Sequence, residues 1–114
     1  MHELSIAQSI LAIAENALPE NSNAWVTSVG LQIGELSSIE IESLEFAFSV
    51  IKADTILKNA ELNIQVIKGE AECTECKTVF PACSYGSCCP HCQSYSKKIM
   101  KGRELRVLNI VVDE

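Results

Sequence analysis

The sequence predicts an α+β fold in which two helices cover a three-stranded sheet and a four-cysteine, zinc-ribbon-like module is inserted before the last strand. Three observations predict it. Apolar residues recur at helical spacing in two segments, they alternate with polar residues in three others, and all six cysteines of the 114-residue chain lie between residues 73 and 92. With 47% hydrophobic and 21% charged residues, the composition is that of a globular domain.

The first helix is predicted over residues 4–18 because apolar residues recur there every three or four positions. One stripe consists of Leu4, Ala7, Leu11, Ala14 and Leu18, and Ile6, Ile10, Ile13 and Ala17 lie beside it. Pro19 ends this helix, since proline is disfavoured in a helix interior.

A half-buried strand is predicted over residues 25–33, where the side chains alternate in character. One face carries Trp25, Thr27, Val29, Leu31 and Ile33, and the other carries Ser28, Gly30 and Gln32. A turn follows at residues 34–38. Ser37 with Glu40 fits the Ser-x-x-Glu capping box, which predicts a helix start there. The second helix carries Ile41, Leu44, Ala47, Phe48 and Ile51 at helical spacing.

Two further strands complete the predicted sheet. Residues 61–67 alternate Leu62, Ile64 and Val66 with Asn63 and Gln65. After Gly102, the closing strand over residues 104–112 alternates Leu105, Val107 and Val111 with Arg106, Leu108, Ile110 and Val112. The main domain therefore comprises residues 1–69 and 103–114, and the inserted module comprises residues 70–102.

The cysteine segment contains two Cys-x-x-Cys loops, Cys73 to Cys76 and Cys89 to Cys92, separated by twelve residues. Each loop turns two thiolates the same way, and two facing loops complete a tetrahedron that suits Zn(II). In a reducing compartment such clustering indicates a metal rather than disulfides. Four protein ligands leave no position for an activated water, so the predicted zinc is structural. Phe80 is expected to pack beneath the first loop.

Other interpretations of this segment stay open. Iron in a rubredoxin-like electron-transfer site is the alternative metal, because thiolate tetrahedra also accept it. Cys83 and Cys88 are interpreted as free thiols, although Cys88 in place of Cys89 would give a Cys-x-x-x-Cys spacing. His91 is interpreted as an exposed loop residue, with a replacement or pH-dependent metal ligand as the alternative.

The amino terminus offers a second arrangement of metal ligands. The His2 imidazole can join the free amine of Met1 and backbone amides, and nitrogen ligands in square-planar or tetragonal geometry suit Ni(II) and Cu(II). Glu3 adds an oxygen ligand or a hydrogen-bond acceptor. By residue type alone, an exposed terminal histidine is the simpler interpretation of His2. Glu3 is then a favourable charge at a helix start, and Glu40 half of a capping box.

Charge and composition argue against several classes of function. A net charge of −6 argues against nucleic-acid binding. No apolar run approaches the roughly 20 residues of a membrane span, and the start has no signal-peptide features, so we expect a cytoplasmic protein. No Ser-His-Asp set, phosphate-binding loop or open metal position indicates an enzyme, so no catalytic residue is predicted. A thiol oxidoreductase using a Cys-x-x-Cys loop is the enzyme alternative.

Four motifs occur together in this chain: Met1-His2-Glu3-Leu4-Ser5, Ile33-Gly34-Glu35-Leu36-Ser37, the pair of cysteine loops, and Gly102-Arg103-Glu104-Leu105. In this combination the chain resembles the HypA/HybF family of nickel metallochaperones, which help to mature nickel–iron hydrogenases. The resemblance extends from the first motif to the last strand. Cys83, Cys88 and the position of His91 depart from the family pattern, so pH switching of the zinc site is not carried over.

The resemblance implies that residues 1–69 and 103–114 form a nickel-binding domain and that residues 70–102 hold structural Zn(II). It implies that His2 is the Ni(II) ligand, with Glu3 close by and Glu40 as a further contact. It also implies that a GTPase, HypB, is a partner and that the hydrogenase large subunit receives the nickel, with urease supplied in some organisms. Monomer and homodimer both stay open.

Overall fold

The computed structural model describes residues 3–18 and 23–113, and the described residues form two helices and six strands. In chain order these are α1 (Glu3–Ala17), β1 (Trp25–Gly34), α2 (Ile41–Ile51), β2 (Glu61–Ile67), β3 (Glu70–Cys73), β4 (Val79–Pro81), β5 (Lys97–Lys101) and β6 (Leu105–Asp113). One three-stranded sheet has the order β2-β1-β6 and the other the order β4-β3-β5. The predicted α+β class, the three-stranded sheet and the inserted four-cysteine module are confirmed.

The two helices pack against each other. Helix α1 ends at Ala17, before Pro19, which lies outside the described residues. The buried residues of α1 are Ile6, Ala7, Ile10 and Ala14, and those of α2 are Leu44, Ala47 and Phe48. The buried side of α1 therefore runs between the two predicted stripes, which leaves Leu4 and Ile13 exposed.

The predicted capping box at the start of α2 is wrong. The helix begins at Ile41 with Glu40 as its N-cap residue, and no side-chain hydrogen bond caps it. The Ser37 amide instead donates to Gly34 O at 3.0 Å within a turn. Ser38 then adopts a left-handed conformation with φ of 66°, which ends the turn and delays the helix by three residues.

Strand β1 follows the predicted alternation only in its second half. Val29, Leu31 and Ile33 are buried as expected, but Trp25 is 42% exposed while Val26 is fully buried. The Val26 amide donates to Ile56 O at 3.1 Å, so the start of the strand is bonded to the segment after α2. The alternation therefore changes phase between Val26 and Val29, and the prediction that Trp25 shares a face with Val29 is wrong.

Strand β2 has the predicted bounds, and β6 is shifted by one residue from the predicted 104–112. The predicted alternation in β6 is wrong. Val107 and Ile110, three residues apart, are half-buried, and the rest of the strand is exposed. This strand is the edge of its sheet, so one of its sides has no strand partner among the described residues. Its apolar residues therefore reflect strand propensity more than burial.

The segment that carries the cysteines forms a small sheet of its own, which the sequence reasoning did not predict. Strand β3 pairs with β4 and β5 on its two sides, both antiparallel. Ala71 lies opposite Phe80 on one side and opposite Ile99 on the other. A buried cluster results, made of Ala71, Cys73, Phe80, Ala82 and Cys89, with Cys76 and Ile99 packed against it. The predicted position of Phe80 beneath the cysteine loops is thereby confirmed.

This segment begins and ends at glycines that lie against each other. Gly102 has φ of 117°, a conformation that favours glycine, and a Cβ there would come within 2.8 Å of Gly69 Cα. A Cβ on Gly34 would collide with the Gly102 carbonyl group. The Leu36 amide donates to the same carbonyl oxygen at 2.6 Å. There is therefore no room for a side chain at Gly34, Gly69 and Gly102, and glycine is required at all three positions.

The chain divides into two compact units, one of residues 1–31, 39–64 and 107–114 and the other of residues 32–38 and 65–106. The first unit contains ten acidic and two basic residues, and the second contains five acidic and seven basic residues. The negative charge of the chain therefore belongs to the first unit. The predicted module boundaries at residues 70 and 102 stay a prediction. Among the described residues, no helix has the length and apolar character needed to cross a bilayer.

Candidate metal centre

Four thiols of the second unit come together in the structure. The sulfur atoms of Cys73, Cys76, Cys89 and Cys92 all lie within 4.8 Å of one another. The Sγ atoms of Cys73 and Cys92 are 3.5 Å apart, and those of Cys76 and Cys89 are 3.6 Å apart. A tetrahedron with Zn–S bonds of about 2.3 Å has edges of roughly 3.8 Å. The thiol quartet therefore fits a tetrahedral metal of that size.

The first loop is built on the hairpin formed by β3 and β4. The Cys73 amide donates to Thr78 O at 2.9 Å, and the Lys77 amide donates to Cys73 O at 3.0 Å. Lys77 adopts φ of 66° to close this turn. Cys76, at the turn, is held with its sulfur 3.1 Å from the Thr78 hydroxyl.

The second loop repeats this backbone geometry residue for residue. The Cys89 amide donates to Ser94 O at 2.9 Å, and the Gln93 amide donates to Cys89 O at 2.8 Å. Gln93 adopts φ of 65°, as Lys77 does at the equivalent position. The amides of His91 and Cys92 also point to Cys89 Sγ, at 3.4 and 3.5 Å. Amide hydrogen bonds of this kind stabilise a thiolate.

The burial of the cysteines also follows the same order in the two loops. The first cysteine of each loop, Cys73 or Cys89, is fully buried in the apolar cluster around Phe80. The second cysteine is more accessible, since Cys76 is half-buried and Cys92 is exposed. The centre is therefore closed on the protein side by its own small core and reached from solvent past its second cysteines.

The protonation of the metal-free thiols differs between the two loops. The hydroxyl of Thr78, helped by its backbone amide, lowers the pKa of Cys76 to about 6. Burial raises the pKa of Cys89, but the amides of Cys92 and His91 outweigh it and lower the pKa overall. A backbone hydrogen bond from Ser94 lowers the pKa of Cys92, yet the neighbouring thiols, first Cys73, raise it to about 12. In the metal-free quartet Cys76 therefore loses its proton before Cys92, and a metal that binds all four sulfur atoms must displace the protons that remain.

Cys83, Cys88 and the loop residue His91 lie outside the four-thiol cluster. Cys89, not Cys88, contributes to the four-thiol cluster, and the alternative Cys-x-x-x-Cys spacing is not the one the structure uses. Cys83 is exposed and Cys88 half-buried. His91 is exposed, and its backbone amide, at 3.4 Å from Cys89 Sγ, is the contact it makes to the quartet.

The two predicted carboxylate residues of the second metal arrangement, Glu3 and Glu40, belong to the first unit. Met1 and His2 lie outside the described residues. Glu3 begins α1, and its Oε2 accepts a hydrogen bond from the Glu40 amide at 3.4 Å. Glu40 is the N-cap residue of α2. The structure thus brings together Glu3 and Glu40, which are 37 residues apart in the sequence.

Thr78 is a residue of the metal centre that the sequence reasoning missed. Its hydroxyl contacts Cys76, whereas the equivalent Ser94 hydroxyl accepts from the Ser96 amide at 3.1 Å. Both are hydroxyl residues two positions after a second cysteine. The sequence alone therefore carries no signal that separates their roles.

The chain matches, over residues 1–112, the family model described as "Hydrogenase/urease nickel incorporation, metallochaperone, hypA". It is 44% identical over 112 residues to a hydrogenase maturation factor HypA from Parabacteroides distasonis, covering 98% of this chain and 97% of that one. It is 38% identical over 113 residues to the factor of the same name from Geobacter metallireducens, covering 99% and 100% of the two chains.

Solved structures show the same likeness. The chain superimposes on the solution structure of the Ni metallochaperone HypA from Helicobacter pylori with a TM-score of 0.64 and 30% identity. That match covers 97% of each chain. A second solution structure of a HypA protein gives a TM-score of 0.65 and 31% identity, covering 97% of this chain and 95% of that one.

Proposed function

Because this chain belongs to the HypA family of hydrogenase and urease nickel-incorporation metallochaperones, we propose that it binds Ni(II) at its amino-terminal residues and passes it on during hydrogenase maturation. The proposed nickel ligands are His2, with the amine of Met1, and the nearby carboxylates of Glu3 and Glu40. Nickel is cargo in this proposal, so the chain acts by binding and exchange and not by catalysis.

The contact between Glu3 and Glu40 is the observation that carries the proposal. One oxygen of Glu3 accepts from the Glu40 amide, so the carboxylate of the residue that follows His2 is held at the start of α2. This contact supports an arrangement in which the carboxylates of Glu3 and Glu40 and the imidazole of His2 share one metal ion. Hard oxygen ligands next to a nitrogen ligand suit an exchangeable divalent cation.

The test is a nickel titration of the metal-free amino terminus in protein whose cysteine quartet is already loaded with zinc. Either His2→Ala or an extension of two residues before Met1 is expected to weaken nickel binding by at least about tenfold, or about 1.4 kcal/mol. Glu3→Gln and Glu40→Gln are expected to weaken it by a smaller factor. Unchanged binding in the His2 variant and in the extended chain rules out the amino-terminal site.

Glu42→Gln is the matched control for the carboxylate variants. Glu42 is an exposed acid in the first turn of α2, so its removal changes the charge near the helix start by the same amount. If Glu42→Gln weakens nickel binding as much as Glu40→Gln does, general electrostatics explains the effect and Glu40 is not a ligand.

We further propose that the quartet of Cys73, Cys76, Cys89 and Cys92 holds one structural Zn(II), within a module of residues 70–102. Closed thiolate coordination, sulfur spacings near a zinc tetrahedron and a small apolar core beneath the cysteines support this assignment. Metal analysis of protein prepared without added nickel is expected to find one zinc per chain. Iron with a thiolate charge-transfer spectrum, or nickel in the quartet, would overturn it.

The proposed partners are those of the family's maturation role, with HypB as the nickel-insertion GTPase and the hydrogenase large subunit as recipient. Urease maturation proteins are a further possible destination, since the matching family description names urease as well. This proposal places the protein in the cytoplasm, as a monomer or homodimer. A pull-down with nickel-loaded and nickel-free protein tests the GTPase interaction, and loss of the large-subunit contact in His2→Ala would support cargo-dependent delivery.

A further inference from the structure

Two cysteines, Cys83 and Cys88, are used neither by the metal centre nor by the proposed nickel site. We propose that they form a reversible dithiol–disulfide pair that closes the loop of residues 83–88 while the metal stays bound to the quartet. This inference depends on the assignment of Cys89 to the metal centre and does not depend on nickel binding.

The loop geometry brings the two residues together. The Ser87 amide donates to Ser84 O at 3.2 Å, which closes a four-residue turn with Tyr85 and Gly86 at its tip. Cys83 and Cys88 are the residues immediately before and after that turn. A four-residue turn holds its first and last Cα atoms, here those of Ser84 and Ser87, within about 7 Å, so the two flanking cysteines leave the turn from neighbouring points. Unstrained disulfides span Cα distances of about 4.4–6.8 Å.

Both ends of the loop are fixed by the same buried cluster. Ala82 and Cys89, the neighbours of the two cysteines, are fully buried members of the cluster around Phe80. The Ala82 amide donates to Gly69 O at 3.0 Å, and the Cys89 amide donates to Ser94 O at 2.9 Å. The chain therefore leaves this core next to Cys83 and returns to it next to Cys88.

The tip of the loop is held as well. The Tyr85 hydroxyl donates to Leu36 O at 3.0 Å, and the Arg103 guanidinium lies 5.6 Å from the centre of the Tyr85 ring. Such a contact between a cation and an aromatic ring is attractive, because the negative face of the ring meets the positive charge. With the base and the tip both anchored, the loop that carries the two cysteines is already closed before oxidation.

Accessibility separates these thiols from the metal ligands. Cys83 is exposed and Cys88 half-buried, whereas Cys89 is fully buried and faces the quartet. A disulfide between the adjacent Cys88 and Cys89 is disfavoured, because consecutive Cα atoms are about 3.8 Å apart, below the unstrained range. An oxidant from solvent therefore reaches Cys83 first, and Cys88 is the partner that completes the bond.

The reaction with a small disulfide such as glutathione disulfide balances in two steps. The Cys83 thiol, losing its proton, attacks one sulfur of glutathione disulfide, which forms a mixed disulfide and releases one glutathione thiol. The Cys88 thiol then attacks the Cys83 sulfur, forms the Cys83–Cys88 bond and releases the second glutathione thiol. The protein loses two electrons and two protons, and glutathione disulfide gains both. Glutathione in excess reverses the exchange.

The test uses the full chain loaded with zinc and exposed to glutathione disulfide. The expected product has lost two thiols, has the mass of the chain less two hydrogen atoms, retains all of its zinc, and yields a peptide that links Cys83 to Cys88. In Cys88→Ser the reaction is expected to stop at one persistent glutathione adduct on Cys83. Cys83→Ser, with the exposed thiol removed, is expected to react several-fold more slowly.

Three outcomes overturn the inference. Zinc release in step with thiol loss would show that the quartet is oxidised instead. Glutathione adducts that persist on both cysteines of the unaltered chain would show that the two thiols do not meet. Disulfide-linked dimers as the main product would show that each thiol finds its partner on another chain. The unaltered protein gives all three readouts, so the inference stays testable if a serine variant folds poorly.

Discussion

The two cysteine loops have the same internal geometry but different support from the rest of the protein. In each loop the amide of the first cysteine is bonded five residues ahead, and the residue four positions on takes a left-handed conformation. The first loop sits at the end of the β3–β4 hairpin and is flanked by β5. The second lies within residues 82–96, all described, which form no strand.

One position makes the difference clear. In the first loop, the Thr74 amide donates to Ser96 O at 3.1 Å, and the hydroxyls of Thr74 and Ser96 are 2.5 Å apart. The equivalent residue in the second loop is Pro90, which has no amide hydrogen and cannot make such a bond. The first loop is therefore flanked by strands on both sides of β3, whereas the second lies in a segment without strands and lacks the amide hydrogen for an equivalent bond.

The largest test of this comparison is removal of the metal with a chelator. Structural zinc contributes on the order of 10 kcal/mol to the folding of small cysteine modules, so the cluster is expected to loosen. Amides within residues 83–96 are expected to lose hydrogen-exchange protection first, while those of Glu70–Cys73 and Val79–Pro81 keep at least about tenfold more. Mass-resolved hydrogen exchange measures both. Simultaneous loss in the two segments would show that the sheet gives the first loop no separate support.

The thiols at equivalent positions offer a second test, on the metal-free protein. Since the pKa of Cys76 is lowered to about 6 and that of Cys92 raised to about 12, Cys76 is mostly thiolate at pH 7 and Cys92 is not. Iodoacetamide is expected to modify Cys76 about a hundredfold faster, although Cys92 is the more exposed. Lowering the pH below 6 should slow both reactions but keep the difference, because the thiolate fractions of both groups then fall in parallel. Faster modification of Cys92 at pH 7 would mean that exposure controls reactivity.

A third test exchanges the hydroxyl that distinguishes the first loop. Thr78→Val keeps the shape of the side chain but removes the hydroxyl that lies 3.1 Å from Cys76 Sγ. Loss of a hydrogen bond to a metal ligand typically lowers metal affinity by about tenfold or more. Competition with a chromophoric chelator measures the change. Ser94→Ala at the equivalent position is the control, and an equal effect there would contradict the proposed role of Thr78.

The smallest test addresses what the loops share. Lys77→Gly and Gln93→Gly each relieve a left-handed residue, and each also adds freedom to the unfolded chain. The two effects largely cancel, so each change in unfolding free energy is expected to be below about 1 kcal/mol, and the two changes should agree. Thermal unfolding of the zinc-loaded protein gives both values. A clear inequality would show that the matching backbone angles conceal different strain.

The parts of the fold that could be predicted are those with a long and regular local pattern. Helix α1 and strand β2 have nearly the predicted bounds because apolar residues recur at helical spacing in the first and alternate with polar residues in the second, although Leu4, Ile13 and Val66 are exposed. The predicted start of α2 is wrong because the Ser37 amide donates to Gly34 O within a turn, and a local capping pattern does not reveal this bond. The predicted alternation of buried and exposed residues in β6 is wrong because an edge strand can be apolar without having a buried face.

The cysteine quartet was predictable because the spacing of two Cys-x-x-Cys loops constrains the metal geometry almost completely. The small sheet that supports it was missed, since β3 and β4 have only four and three residues, too few to show a period. The nearness of Glu3 and Glu40 also depends on how α1 and α2 pack, and no local pattern contains it. What remained hidden in each case was contact between segments distant in the sequence.

The glycine contacts at Gly69 and Gly102 have a consequence for how this chain can change over time. The segment between them departs and returns at adjacent points of backbone, so its length adds little to the distance that the rest of the chain must span. We therefore expect this position to tolerate segments of other lengths, provided that both glycines and Leu36 beside them are kept.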